Sequence, residues 1–379
     1  MFKSYRSIVR QLHNDSNLTP SYCPNSRCPF HLKREANFVR HGFKAIKRFP
    51  YRSIRFRCKT CDKTFTASFF RLEYRQKIWE FNDVIHMLDG RGVSKREIAR
   101  LIGHSECMVR KRLIKLSRWC LLKHAKLSAQ VEIAEPIVYD GLENFSYSQY
   151  DPNNINHAVG KRSLFTYDFN FCPLNRKGRM SPYQVRRKLY IEKTLGAYPA
   201  DAIRTASCRI FRRLSERSKK PLTLYSDNHF QYRRAIQHDL KGLDFDHVTV
   251  SSKISRNFWN PLFAVNNIDL QARHNLAPFK RETIAFSKRS IAMMESFLRY
   301  MTYRNYMRPK FWGTHRSDPL CSQRSPAMEL GITKRILDFR AFFDERICPT
   351  QVKLHPEWLD LYNRIDPLSR YKIDASPTI

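Results

Sequence analysis

Pro136-Ile137-Val138-Tyr139-Asp140 is a short apolar run that closes on a carboxylate, and Pro221-Leu222-Thr223-Leu224-Tyr225-Ser226-Asp227 repeats the device. Apolar, β-branched and aromatic residues that follow a proline and end at an aspartate read as buried strands. Leu164-Phe165-Thr166-Tyr167-Asp168-Phe169-Asn170-Phe171 reads as a further strand, and a basic helix fits Ala200 to Ser218. Beyond Asp227 the pattern predicts a helix near Gln231 to Leu240, a strand at His247-Val248-Thr249-Val250, and long helices from Asp269 onward, among them the core stretch Met293-Met294-Glu295-Ser296-Phe297-Leu298. Strands interleaved with helices predict an α/β domain over residues 136–312. Aspartate is a common turn residue at strand ends. Two of them at the ends of neighbouring strands could instead hold paired Mg²⁺ ions about 3.5–4 Å apart, the separation used for in-line phosphoryl transfer. A third acid, supplied by a later helix, would complete such a site.

Upstream the texture is helical. Ile78 to about Met87 reads as a helix broken by Asp89-Gly90-Arg91-Gly92. A second helix fits Ser94 to Ile102, with Ser94 and Glu97 placed for a capping box. After Gly103-His104, Ser105 caps a third helix from Glu106 to about Trp119. Val109, Leu113 and Leu116 mark its buried side and Arg110, Lys111, Arg112 and Lys115 its outer one. Two helices around a glycine turn, the second one basic, predict a helix-turn-helix over residues 71–120. Ser105, Glu106, Arg110 and Lys111 lie where base contacts fall, and Lys115 and Arg118 where phosphates are met. A connector, residues 121–135, follows.

The first seventy residues carry Cys23-Pro-Asn-Ser-Arg-Cys28 and Cys58-Lys-Thr-Cys61. Two close cysteine pairs with about thirty residues between them predict a zinc ribbon over residues 1–70, all four thiolates on one Zn²⁺. Phe56 and Phe65 flank the second pair at a spacing suited to packing beneath the metal. Cys107, Cys120, Cys172, Cys208, Cys321 and Cys348 are scattered singly, which suits a reducing compartment better than a disulfide framework.

The chain of 379 residues carries 69 Lys and Arg against 34 Asp and Glu, a formal charge of +35 spread along its length. Such a surface binds polyanions by counterion release. With 42% hydrophobic residues the chain builds cores, which excludes a disordered basic arm. No apolar run approaches the twenty residues of a membrane span and no signal peptide is evident, so a soluble, cytoplasmic protein is expected. Residues 313–379 carry several prolines and short helical stretches such as Lys334 to Phe343.

Taken together, residues 20 to 312 resemble the transposases of bacterial insertion sequences. The resemblance rests on the cysteine knuckles, Tyr139-Asp140-Gly141-Leu142-Glu143-Asn144-Phe145, Leu224-Tyr225-Ser226-Asp227, Asn266-Asn267-Ile268-Asp269-Leu270-Gln271-Ala272-Arg273, and Lys280-Arg281-Glu282-Thr283-Ile284-Ala285-Phe286-Ser287-Lys288. It implies a multidomain protein: zinc ribbon, helix-turn-helix, and a catalytic domain of ribonuclease H-like fold with a DDE triad. Asp140 and Asp227 match the first two acids. Asp269 is the first choice for the third, and Glu282 the second. Many relatives carry a carboxylate directly after the first acid; this chain has Gly141 there, and Glu143, on the same strand face, is the accessory candidate. The resemblance further implies that Arg273, Lys280, Arg281 and Lys288 contact the transposon end. Mg²⁺ or Mn²⁺ would serve cleavage at the ends and transfer of the 3′-hydroxyls to target DNA, by a homo-oligomer on double-stranded DNA in a prokaryotic nucleoid, with no membrane and no small-molecule substrate. Two other readings are a catalytically inactive DNA-binding regulator derived from a transposase, and a structure-selective nuclease on the same fold.

Overall fold

The computed structural model describes residues 18–33, 35, 37–46, 52–69, 71–219, 221–280, 284–313 and 319–366. The chain is a multidomain α/β protein with two compact units. The first comprises residues 1–88, 95–126 and 338–353, the second residues 89–94, 127–337 and 354–379.

The first unit begins with an antiparallel sheet of β1 (Phe38–Ala45), β2 (Arg52–Cys58) and β3 (Thr64–Thr66). Phe56 and Phe65 face each other in register and pack with Tyr22, Ala67 and Cys348. They form a core beside the cysteines, whereas Phe30 and Phe38 are the aromatics that touch the cysteine cluster itself. Three helices follow: α1 (Asn82–Asp89), α2 (Lys95–Ile102) and α3 (Glu106–Ser128). The helix expected from Ile78 starts instead at Asn82, because residues 71–80 form successive turns. Helix α3 runs past Trp119 to Ser128, since Cys120, Leu121, Leu122 and Ala125 extend its buried side. At its start Ser105 Oγ accepts the Met108 amide, the expected cap. Glu97 pairs with the Arg100 guanidinium, at 2.6 Å.

Residues 338–353 return to this unit and close it. The short helix Phe339–Phe343 places two rings against His86. Glu345 receives Lys123 and Lys126, Arg346 donates to the Ala67 carbonyl, and the Tyr22 hydroxyl donates to the Arg346 carbonyl. His31, whose Nδ1 lies 2.6 Å from the Cys23 carbonyl, meets Thr350 through Nε2.

The second unit is built on a five-stranded mixed sheet in the order β6-β5-β4-β7-β8. Its strands are β4 (Ile137–Phe145), β5 (Pro152–Gly160), β6 (Thr166–Pro173), β7 (Leu222–Asp227) and β8 (Phe245–Val250). β4, β5 and β6 form an antiparallel meander, while β7 and β8 run parallel to β4. Helix α5 (Ala202–Ser215) covers one face, its Phe211 packing on Tyr139 and its Ser207 hydroxyl 2.8 Å from the Tyr139 hydroxyl. On the other face α7 (Phe263–Asn275) lies over β4 and β5, and the buried α8 (Ser290–Tyr306) sets Phe297 against His157 and Phe169. Helix α9 (Pro356–Asn363) adds Trp358, whose indole donates to the Phe169 carbonyl. Two elements lie between those already named, α4 (Pro182–Leu195) after β6 and α6 (Phe230–Arg234) after β7, the latter continued by a π turn.

Strand β5 and helix α4 have no counterpart in the sequence expectations. The long helix expected from Asp269 begins six residues earlier, at Phe263, and of Lys334–Phe343 only Phe339–Phe343 is helical. Gly92 requires its residue type: its φ is +77° and a Cβ would stand 2.1 Å from the Asn275 carbonyl oxygen. No helix among the described residues is long and apolar enough to cross a membrane.

Candidate metal centre and candidate active site

In the first unit Cys23, Cys28, Cys58 and Cys61 converge, with their sulfurs all within 4.8 Å of one another. Cys23 and Cys61 sulfurs are 3.6 Å apart, Cys28 and Cys58 sulfurs 3.8 Å. Tetrahedral coordination at about 2.3 Å per Zn–S bond requires S···S separations near 3.8 Å, so the tetrad fits a metal ion such as zinc. Each pair sits on a tight turn: the Cys28 amide donates to the Asn25 carbonyl and the Asp62 amide to the Cys58 carbonyl, with Asp62 at φ +55°. The Asn25 amide donates to the Cys23 sulfur. Burial opposes charge on Cys61, yet the Lys63 amide and the neighbouring groups prevail and lower its thiol to about 7.

In the second unit the decisive feature is a fork in the sheet. β4 pairs with β7 only from Ile137 to Tyr139, the last partners being Tyr139 and Ser226. Asp140 and Asp227 occupy the next position on each strand. From Asp140 to Phe145, β4 stays paired to β5 but has left β7, and the gap opens into a cleft of about 1010 Å³. Asp140, Gly141, Glu143 and Asp227 line it, together with Arg176, Lys177, Arg273 and Lys280.

The carboxylates feel one another. Burial, then Asp269, then Asp227 push Asp140 up to about 7, although its Oδ1 accepts the Gly141 amide at 2.7 Å. Asp227 Oδ1 accepts the His229 amide at 3.1 Å. Asp269, on α7, lies 3.2 Å from Nε2 of the fully buried His157, which stands opposite Asp140 on β5. Burial disfavours charge on that imidazole, but Asp269 prevails and raises it above the usual value. Among the described residues, the four cysteines are the one group of three or more metal-ligating side chains gathered within 4.8 Å, so the three aspartates do not close into a single cage. Asp269 stands off the cleft wall, beside His157.

The other expected site residues divide. Glu143 is exposed and lines the cleft. A side chain at Gly141 would meet Asn154 Nδ2 at 2.5 Å and Asn156 Oδ1 at 2.9 Å, so two asparagines of β5 fill the place of an acid there. Arg273 is a staple, donating to the carbonyls of Phe279 and Glu143. Lys280 is exposed on the cleft, and Lys288 lies 3.4 Å over the Phe286 ring. Arg281 and Glu282 lie outside the described residues.

On α3, Ser105, Arg110 and Lys111 are exposed and Glu106 and Arg118 half-buried. Lys115 and Arg112 do not lie on an open outer face. Lys115 Nζ donates to the Tyr74 carbonyl, and burial lowers it to about 8; Arg112 donates to the Ile78 carbonyl at 2.7 Å. Both cations hold the turns of residues 71–80, which a helical periodicity applied to α3 alone cannot reveal.

His157 is the residue that sequence reading missed. Its signal was slight: one histidine in Asn153-Asn154-Ile155-Asn156-His157, a stretch without strand composition. No protein-family model matches the chain, and no curated protein matches it.

Proposed function

We propose that this chain is a transposase, cleaving DNA at the ends of its own element and passing the 3′-hydroxyls to target DNA. The observation that carries the reading is the pair Asp140 and Asp227, side by side where two parallel strands diverge, in a cleft that also presents Glu143 and four cations, Arg176, Lys177, Arg273 and Lys280. A meander followed by two strands parallel to its first member is what a ribonuclease H-like fold requires, and the strand order supports that assignment. The donor set fits Mg²⁺ or Mn²⁺: carboxylate oxygens, and Asp140 pushed up to about 7 by burial and then by its anionic neighbours Asp269 and Asp227, a penalty that a cation relieves. Two carboxylates with the remaining places left to water and phosphate are what Mg²⁺ favours.

Asp140 and Asp227 would hold the cation, whose chemistry is to lower the pKa of a bound hydroxyl and neutralise charge on the phosphate. The protein's own part is positioning. The Gly141 and His229 amides orient the two carboxylates, His157 orients Asp269 as the third acid, and Arg176, Lys177 and Lys280 face the phosphate chain. The cysteine tetrad would carry Zn²⁺, and Arg110 and Lys111 on α3 would meet duplex DNA.

The test is cleavage and strand transfer on a labelled duplex carrying the element's ends, with Mg²⁺ or Mn²⁺. End-dependent products from the wild type that fall by about a thousandfold or more in Asp227→Ala support the proposal. A wild type that binds the ends and never cuts them overturns it in favour of the regulator. One observation favours that second reading: the His157 imidazole stands 3.2 Å from the Asp269 carboxylate, on the oxygen a cation would need.

A further inference from the structure

Helix α4 is well capped and almost wholly exposed. Ser181 and Gln184 form a capping box, Pro182 opens the first turn, and Gly196, at φ +82°, ends the helix. Ile191 is its one buried side chain. Fourteen residues with so little burial gain little from packing, and an isolated helix of this length is marginal in water. The outward side is chemically specific. Tyr183, Arg186, Arg187 and Tyr190 follow the i, i+3, i+4, i+7 rhythm of one helical face, and Lys193 continues it. Tyr183 is 67% and Tyr190 59% exposed, and the Arg187 guanidinium lies 5.3 Å over the Tyr190 ring.

The helix grows out of the aspartate cleft. Residues Pro173 to Gly178, before it, and Pro199 and Ala200, after it, are cleft wall. The two stems are pinned together, Asn175 donating to the Tyr198 carbonyl and accepting the Tyr198 amide. From residue 174 to 199 the chain carries seven basic residues and one acid, Glu192, which is tied to Lys188.

We infer that α4 is a grip for unpaired nucleic acid: bases of a single strand stack on Tyr183 and Tyr190, Arg186, Arg187 and Lys193 take its phosphates, and Arg176 and Lys177 lead it into the cleft. Aromatic rings accept any base by its π face, and cations beside them follow the backbone, which is the chemistry of single-strand binding. A protein partner calls for a continuous apolar surface, whereas here rings alternate with cations and the exposed Val185 and Leu189 stand to one side of them. The inference rests on the nucleic-acid reading of the cleft and names the form of substrate drawn into it.

The test uses the full chain with zinc bound and no Mg²⁺, a fluorescein-labelled oligo-dT strand, and a mixed-sequence duplex of equal length, read by anisotropy over a salt series. Tyr183→Ala/Tyr190→Ala is expected to weaken single-strand binding at least about tenfold while duplex affinity holds. Arg186→Gln/Arg187→Gln is expected to lower the single-strand salt slope by about 1.4. A strand bearing 5-iodouracil should crosslink on irradiation to the peptide spanning residues 182–195. Unchanged single-strand affinity, equal losses on both probes, or crosslinks confined elsewhere overturn the inference. So does a change in sedimentation of the tyrosine variant without nucleic acid, which makes the face a contact between copies. Single-strand binding lost in the tyrosine variant, with a wild type that never cleaves, keeps this inference and removes the transposase; cleavage with α4 silent does the reverse.

Discussion

Replacing Asp140 by Asn tests the electrostatics of the fork directly. The Asp140 carboxyl is raised from 3.8 to about 7 by burial and by Asp269 and Asp227. A carboxyl raised on folding binds its proton more tightly in the folded state, so the protein loses stability as pH climbs from the unfolded value through the folded one. The loss is complete above about pH 7 and absent below about pH 4. At about 1.4 kcal/mol per pKa unit the interval sets an upper limit of about 4 kcal/mol, and because Asp140 is only half-buried we take about 2 kcal/mol. Asn keeps the oxygen that accepts the Gly141 amide and removes the charge. Hydrogen exchange of peptides covering β4 and β7, corrected for intrinsic rates and run without divalent cations or chelator, reports the opening of this unit alone. The variant should be about thirtyfold better protected than the wild type near pH 8 and equal to it near pH 4. Added Mg²⁺ should narrow the gap by stabilising only the wild type. Superimposable pH profiles, or a variant less protected at high pH, would refute the reasoning.

Three further outcomes follow from the geometry. Cys28→Ser should abolish the binding of one Zn²⁺ per chain, measured by metal analysis of dialysed protein, and should deprotect β1 to β3 in hydrogen exchange; unchanged zinc content would remove the tetrad as the site. Glu345→Gln leaves Lys123, with 8% of its side chain exposed, without its carboxylate, and should cost the first unit about 1–3 kcal/mol in urea unfolding, reduced because Glu345 itself is partly exposed. Gly92→Ala sets a methyl against the Asn275 carbonyl and should cost more than about 2 kcal/mol, whereas Gly103→Ala, with nothing within 4 Å of the new atom, should cost only the roughly 1 kcal/mol of a left-handed backbone; equal costs would show that the contact is relieved by movement.

The parts of this protein that could be read in advance are those where a single local rule acts alone. Close cysteine pairs foretell the tetrad because each pair fixes two sulfurs on one tight turn, and the runs ending in Asp140 and Asp227 announce strands because they are rich in apolar, β-branched and aromatic residues. β5 was opaque for the opposite reason. Its asparagines and His157 are buried by partners on other segments, Asn156 donating to Asn170 and His157 meeting Asp269, and no strand composition precedes those partnerships. Arg112 and Lys115 look like outward cations until residues 71–80 supply the carbonyls that hold them. Helix α4 was missed because an exposed helix has no buried stripe, and its caps alone raised too faint a signal. The location of Asp140 and Asp227 was legible; the histidine behind Asp269 needed the fold.

The return of residues 338–353 to the cysteine-bearing unit bears on the order of events during synthesis. Tyr22 waits for Arg346, 324 residues later, and at about 5–20 residues per second the interval is on the order of 15–60 s. Throughout it the aromatic core around Phe56 and Phe65 lacks Cys348, and Lys123 lacks Glu345. A ribosome that stops early releases a fragment whose cysteine-bearing unit is unlatched and open to proteases. A chain that reaches residue 353 has by then also translated every strand of the aspartate sheet, so a sturdy N-terminal unit is made only together with the rest of the machine.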